Sequence, residues 1–139
     1  MFVLDTNVVS ELRKVRSGKA NPGVAAWATS VPSAQLFVSV ITLHELEYGV
    51  LLAERSDPRQ GALLRVWLDQ SVSAAFDERM VPVDEAIARQ AAALHVPNPA
   101  PFRDALIGAT ALVHRMAVVT RNIKDFERFE ALAVVNPWT

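Results

Sequence analysis

Residues 1–9 read MFVLDTNVV: an apolar run ends at Asp5, and two polar residues, Thr6 and Asn7, follow it. A short, fully apolar run is typical of a strand that is buried in a parallel sheet. Apolar residues then recur at helical spacing through Leu12. The stretch predicts a strand, a polar turn and a helix, with an acidic side chain at the carboxyl end of the strand.

The same alternation of strand and helix continues along the chain. Further strands are predicted over 36–41, 80–83, 117–120 and 133–135, and apolar residues at helical spacing separate them. Pro82 predicts an edge position for the strand at 80–83, because proline cannot donate a ladder hydrogen bond. We therefore predict an α/β fold with a mostly parallel central sheet of four to five strands, formed by one domain over residues 1–139.

The composition limits the classes of function. Cysteine is absent, which excludes disulfides, thiolate zinc sites and cysteine nucleophiles and fits a reducing cytoplasm. The net charge of −1 provides no basic field for nucleic acid, so a polyanionic substrate would need local arginines or a metal ion. Asp5 interrupts the first apolar run, and prolines and polar residues interrupt 20–43. We expect neither a secretory signal nor a membrane span.

Four acidic residues lie at or near the starts of four predicted helices: Asp5, Glu45, Asp104 and Asp125. Three of them closely follow predicted strands, and the carboxyl ends of parallel strands share one edge of a sheet. Carboxylates that meet there raise each other's pKa, and a divalent cation relieves this repulsion. Oxygen ligands without cysteine suit Mg²⁺ or Mn²⁺. This pattern indicates a metal-dependent enzyme.

Each acid taken singly also has a structural interpretation. Asp5 and Asp125 are placed to cap helices, and Asp104 would complement the dipole of its helix. The segment 42–45 (TLHE) matches a capping box, in which Glu45 would serve only its own helix. Spacing alone leaves both interpretations open for every acid.

Polar residues beside two of the acids favour a shared site. Thr6 and Asn7 follow the first predicted strand, and Thr120 and Asn122 repeat this pattern at the end of another. Polar side chains at such positions often line a functional site. Together with the acids they predict an oxygen-rich cavity.

Four segments resemble the four motifs of PIN-domain ribonucleases: 4–8 (LDTNV), 39–46 (SVITLHEL), 104–111 (DALIGATA) and 120–126 (TRNIKDF). Their order and spacing are similar to those of the VapC toxins of bacterial toxin–antitoxin modules. The segment 135–138 (VNPW) and the length of the chain are most similar to the FitB-type branch of that family.

The resemblance implies a three-layer α/β/α fold and RNA cleavage that depends on Mg²⁺ or Mn²⁺. The first three acids of the family fall on Asp5, Glu45 and Asp104. Some relatives have Asp at the position of Asn122, and others have Asn there with Asp three residues later. This chain matches the second pattern, so we predict that Asp125 is the fourth acid, with Asn122 and Thr120 in support.

These assignments lead to a mechanistic hypothesis. Asp5 and Asp104 are expected to bind the principal cation, and Glu45 and Asp125 to complete its shell directly, through water or around a second ion. A metal-activated water would then attack the phosphodiester in line. The basic residues that flank the acids are candidates for contacts with the RNA backbone, namely Arg103, Arg121 and Lys124.

The resemblance also implies partners. A cognate VapB-like antitoxin would cover the acidic cleft with its C-terminal segment, the toxin would form a homodimer or a hetero-oligomer, and operator DNA would be bound only through the antitoxin. The helices with Leu46, Val50, Leu51, Leu63 and Trp67 are either partner surfaces or ordinary core. The alternatives for the whole chain are a non-catalytic PIN-fold binding module and another Mg²⁺-dependent phosphohydrolase.

Overall fold

A computed structural model describes all of residues 1–139 and contains one five-stranded sheet. The strands are β1 (Phe2–Leu4), β2 (Leu36–Ser39), β3 (Met80–Val81), β4 (Ala117–Val119) and β5 (Val134–Val135). Their order is β3-β2-β1-β4-β5, and all four neighbouring pairs are parallel. The predicted α/β class is confirmed, and β3 lies at an edge, as Pro82 indicated.

Six helices connect and cover these strands. They are α1 (Thr6–Leu12), α2 (Pro22–Ser30), α3 (Val40–Ser56), α4 (Pro58–Val66), α5 (Glu85–Leu94) and α6 (Phe102–His114). A π-helical segment (Trp67–Val72) and a short helical turn (Ser73–Ala75) extend α4, and 3₁₀ turns cover Ser33–Gln35 and Ile123–Asp125. None of the helices is long and apolar enough to cross a membrane.

Alternating side chains of the central strands divide the core into two layers. Leu4 and Val119 pack with α1, α3 and the π-helical segment on one face of the sheet. Val3 and Val118 point to the other face and pack against α6, which in turn packs against α5. The period of two along a strand therefore produces a helix layer on each face, which is the predicted α/β/α arrangement.

The junction of β2 and α3 differs from the prediction. The strand predicted over 36–41 ends at Ser39, whose hydroxyl caps α3 by accepting a hydrogen bond from the backbone N–H of Ile41 at 3.0 Å. The helix thus begins at Val40, and Thr42 is a fully buried residue within it. The capping-box interpretation of 42–45 is therefore wrong, because Ser39 already supplies the cap.

The other strands are also shorter than predicted. β3 ends at Val81, before Pro82, whose ring nitrogen has no hydrogen to donate. β4 ends at Val119, so Thr120 lies just beyond the strand, and β5 starts one residue later than expected. These differences move no strand out of its predicted place in the chain.

Helices α3 and α4 approach each other at Gly61. A Cβ atom on Gly61 would lie 2.4 Å from Cα of Glu54, whereas a Cβ atom on Gly49, in the exposed part of α3, would meet nothing within 4 Å. Arg65 of α4 adds ion pairs to Glu47 and Glu54 at 2.6 and 3.1 Å. The close backbone contact requires glycine at position 61 but not at position 49.

We predict that Gly61→Ala lowers the free energy of unfolding by about 1–3 kcal/mol, because the added methyl group overpacks the contact between α3 and α4. Gly49→Ala should raise it by about 0.5–1 kcal/mol, because alanine has the higher helix propensity. Urea unfolding of the two variants and the parent measures both changes. Equal effects of the two substitutions would contradict the close approach at Gly61.

Candidate active site

The carboxyl edge of the sheet gathers three of the four predicted acids. Asp5 directly follows β1 and is 1% exposed, and Asp104 lies in the first turn of α6 and is 3% exposed. Glu45 lies in the second turn of α3 and is half-buried. Asp5 also caps α1 by accepting from the backbone N–H of Thr6 at 2.8 Å, so its structural and functional interpretations are compatible.

One cation, the guanidinium of Arg103, contacts all three acids. Its Nη2 lies 2.6 Å from Oδ1 of Asp5, its Nε lies 2.7 Å from Oε2 of Glu45, and its Nη1 pairs with Oδ1 of Asp104. Carboxylates from three separate elements therefore converge on a group only a few atoms wide. The sequence predicted that Arg103 contacts RNA. Only its position beside Asp104 pointed to a role within the acidic cluster.

Arg103 pairs with all three carboxylates, but its hydrogen bonding is incomplete. Although Nε lies close to Glu45, it is buried and makes no hydrogen bond. The side chain of Arg103 is also one-third exposed. The guanidinium thus compensates the charge of the carboxylates without satisfying all of its own donors.

Polar neighbours hold the carboxylates in place. Thr6 Oγ1 donates to Oε1 of Glu45 at 2.6 Å, and Thr120 Oγ1 donates to Oδ2 of Asp5 at 2.8 Å. Asn7 Nδ2 donates to the same oxygen of Asp5 at 3.3 Å. These three supporting residues, predicted from the polar strand ends, lie where they orient the acids.

Two further residues complete this network differently from the prediction. Asn122 is exposed and joins through its backbone, since its N–H donates to Thr120 Oγ1 at 3.0 Å. Thr42 was predicted to belong to a capping box. It is instead fully buried, and its hydroxyl lies 3.4 Å from that of Thr6. A buried threonine on the inner face of a helix gives no sequence signal that separates it from ordinary core.

Asp125 lies at the rim of the site. It is exposed, is not a partner of Arg103, and lines a cavity of about 550 Å³ together with Arg121, Asn122, Lys124 and Asn136. Its charge nevertheless contributes to raising the pKa of Asp104, so the two carboxylates are within electrostatic reach. The structure therefore brings Asp5, Glu45 and Asp104 together and leaves Asp125 beside them.

The donor set suits a hard divalent cation. Three carboxylates supply oxygen ligands, and they already surround a positive charge. In the arrangement with Arg103 between them, however, no three acidic or histidine side chains are close enough to hold one ion directly. The residues fit Mg²⁺ or Mn²⁺ in the type of their donor atoms, and to hold one ion the carboxylates would have to draw closer together after the guanidinium leaves.

The pKa values in the cluster reflect burial and mutual charge. Burial raises the pKa of Asp104 to about 6; Arg103 opposes this shift, and the charges of Asp125, Asp5 and Glu45 add to it. Burial lowers the pKa of Arg103, but the charges of Asp5 and Glu45 outweigh it and the net shift is upward. Arg103 therefore remains charged, whereas burial and the neighbouring negative charges disfavour ionisation of Asp104.

We predict that Asp104→Asn stabilises the metal-free protein at pH 7. A carboxyl group whose folded pKa is raised contributes stability below its unfolded pKa of 3.8, and this contribution is lost as pH rises through about 6. The amide avoids the loss, so the variant should gain up to about 3 kcal/mol at pH 7 but less than about 1 kcal/mol at pH 4. Urea unfolding in EDTA across this range measures the difference.

Asp77→Asn is the matched control, because Asp77 is exposed and lies outside the cluster. Its unfolding free energy should follow that of the parent at every pH. A stability difference between Asp104→Asn and the parent that stays constant from pH 4 to 7 would show that Asp104 ionises normally.

Similarity to known proteins indicates the family of this chain. A family model described as PIN domain matches residues 2–132. Toxin FitB of Neisseria gonorrhoeae is 35% identical over 144 residues, which cover 99% of each chain. VapC ribonuclease Y4jK of Sinorhizobium fredii is 34% identical over 143 residues, which cover 99% of this chain and 98% of the relative.

A solved structure has the same fold over the whole chain. The structure of FitAB bound to an IR36 DNA fragment superposes with a TM-score of 0.87 at 32% identity, covering 100% of this chain and 96% of the other. The family match and these full-length similarities agree with the motifs found in the sequence. The chain therefore belongs to the PIN-domain family, in the branch that contains the FitB and VapC toxins.

Proposed function

We propose that the protein is a metal-dependent ribonuclease toxin of a VapBC-type toxin–antitoxin module, which hydrolyses RNA phosphodiester bonds in the cytoplasm. The observation that supports this most strongly is the contact of one guanidinium with Asp5, Glu45 and Asp104, because it shows that the three carboxylates face a common point. The names of the relatives, Toxin FitB and VapC ribonuclease Y4jK, support the class of activity.

Asp5 and Asp104 would hold the principal Mg²⁺ or Mn²⁺ directly, and Glu45 and Asp125 would do so directly or through water. When bound, such an ion lowers the pKa of a coordinated water and offsets the charge that develops on the phosphate. No cysteine is present to act as an alternative nucleophile. The proposed chemistry depends on carboxylates that are held in fixed orientations around the ion.

The residues around Asp5 and Glu45 supply this orientation. Both oxygens of Asp5 accept hydrogen bonds, Oδ1 from the backbone of Thr6 and Oδ2 from Thr120 and Asn7. Glu45, on a flexible side chain, is fixed by the hydroxyl of Thr6. Donors that orient metal ligands in this way strengthen both metal affinity and catalysis.

The RNA backbone would lie along the rim beside Asp125. Arg121 and Lys124 are exposed and line the same cavity as Asp125, where they can neutralise phosphates next to the acids. The guanidinium of Arg121 also lies 5.6 Å from the ring centroid of Trp138, which limits its freedom. These two basic side chains remain proposed contacts with RNA.

A partner surface is proposed on α3 and α4. Leu46 and Val50 are buried in the core, whereas Leu51 and Leu63 are exposed, so the structure separates residues that the sequence grouped together. Exposed apolar side chains of this size suit a VapB-like antitoxin or a second copy of the toxin. The DNA-bound FitAB relative supports the proposal that operator DNA is reached through the antitoxin.

We predict that Asp5→Asn reduces RNA cleavage in Mg²⁺ by at least about 100-fold, since even residues that only orient metal ligands commonly contribute about 10–100-fold. The amide keeps the size of the side chain and an oxygen that can cap α1, but its NH₂ group cannot accept a hydrogen bond, so the melting temperature should fall while the protein stays folded at the assay temperature. Cleavage of single-stranded RNA and thermal melting are measured side by side.

Asp77→Asn, which lies outside the site, should keep the parental rate. Asp125→Asn should lose less activity than Asp5→Asn, because Asp125 is exposed and would act through water. Parental cleavage by Asp5→Asn would remove Asp5 from the mechanism. Turnover of a phosphomonoester without RNA cleavage would favour the phosphohydrolase alternative, and absence of saturable Mn²⁺ binding would favour a binding module.

A further inference from the structure

We propose that Arg103 is a built-in competitor of the divalent cation: its guanidinium occupies the carboxylate cluster of the metal-free protein and must leave before a metal ion can enter. The proposal rests on the proposed function only in taking Asp5, Glu45 and Asp104 as metal ligands. It gives Arg103 a role in controlling metal entry, beyond the RNA contact that the sequence suggested.

Charge compensation explains why Arg103 lies in the cluster. Asp5 and Asp104 are almost completely buried, and unpaired carboxylates in such positions are strongly destabilising. The guanidinium pairs with both of them and with Glu45. The carboxylate oxygens that face Arg103 are those that a metal ion would need, so the two cations exclude each other.

A second arginine of the protein, Arg65, is hydrogen-bonded more completely than Arg103. All three nitrogens of Arg65 donate hydrogen bonds, to Glu47, Glu54 and Asp69. In Arg103, by contrast, only Nη1 and Nη2 donate hydrogen bonds, since Nε lies 2.7 Å from Oε2 of Glu45 without the geometry of a hydrogen bond. Arg103 is therefore held by two hydrogen bonds and by the charges of three carboxylates, and a divalent cation can supply that positive charge in its place.

There is also room for the displaced side chain. Arg103 lines a groove of about 580 Å³ beside the cluster, with an apolar lining that includes Ile41, Phe102 and Leu106. Its side chain is already one-third exposed, so the guanidinium can reach solvent by rotation about its own bonds. Displacement would thus begin with a change of the Arg103 rotamer, after which the carboxylates would draw closer together around the ion.

The consequence is a built-in reduction of metal affinity. The apparent dissociation constant equals the intrinsic constant divided by the fraction of molecules in which the cluster is open. The toxin would accordingly load metal only above a concentration set by Arg103. Substitutions that remove the competitor should lower that concentration.

The test is calorimetric titration of Mn²⁺ into the metal-free parent and Arg103→Gln proteins. The glutamine variant should bind Mn²⁺ about tenfold more tightly or better, because minor open states are commonly populated to about 0.1–10%. Arg103→Lys should bind with intermediate affinity, since lysine keeps the charge but is a point donor that cannot bridge three carboxylates. Arg89→Gln, which removes an exposed arginine of α5, should bind like the parent.

A second measurement uses the unsubstituted protein. The Nε–Hε NMR signal of Arg103 should shift saturably as Mg²⁺ is added, with the dissociation constant that a parallel calorimetric titration with Mg²⁺ gives. This experiment decides the question even if Arg103→Gln fails to fold. A signal that is unchanged at saturating Mg²⁺ would show that the guanidinium does not move.

The outcomes separate this inference from the proposed function. If the parent binds Mn²⁺ and Arg103→Gln binds it no more tightly, the inference is overturned while the metal site stands. If Arg103→Lys binds no more tightly than the parent, nearby charge rather than bridging explains the effect, and the competitor role is again overturned. If neither the parent nor Arg103→Gln binds Mn²⁺, the inference and the proposed metal site both fail.

Discussion

The structure depends on compensation of the negative charge that Asp5 and Asp104 carry into the interior, where they are 1% and 3% exposed. Buried carboxylates must be paired, hydrogen-bonded or protonated. All three responses occur in this cluster: Arg103 pairs with both acids, Thr120 donates to Asp5, and the pKa of Asp104 rises to about 6 because of burial and neighbouring charge. A divalent cation would compensate the same charge, which supports the proposal of metal-dependent hydrolysis.

The parallel sheet is what makes this concentration of charge possible. β1 and β4 are neighbours, so Asp5 and Thr120, which follow them, lie side by side although they are far apart in sequence. α3 begins at the end of β2 on the other side of β1 and brings Glu45 to the same edge. α6 has buried residues along the whole of Asp104–Ala111, so Asp104 is fixed by the packing of its helix rather than by a mobile loop.

Much of this could be predicted from the sequence, because the decisive signals are local. An apolar strand followed directly by an acid, as at Asp5, combines with the general geometry of parallel sheets to place the site. The β2–α3 junction could not be predicted, since Val40 and Ile41 continue an apolar β-branched run and only the cap at Ser39 ends the strand. The role of Arg103 depends on distances between three separate elements, which no local pattern contains. The sequence likewise could not predict which residues of α3 are buried, because this depends on where α4 packs.

Competition between one guanidinium and one metal ion connects these observations. It explains how a cluster of carboxylates stays folded without metal and why one guanidinium contacts all three acids. The most direct test is anomalous diffraction from crystals of the protein grown with Mn²⁺. The metal-site hypothesis predicts an anomalous peak between Asp5 and Asp104, with the guanidinium of Arg103 rotated out of the cluster. A peak elsewhere, or no peak while Arg103 still bridges the three carboxylates, would contradict it.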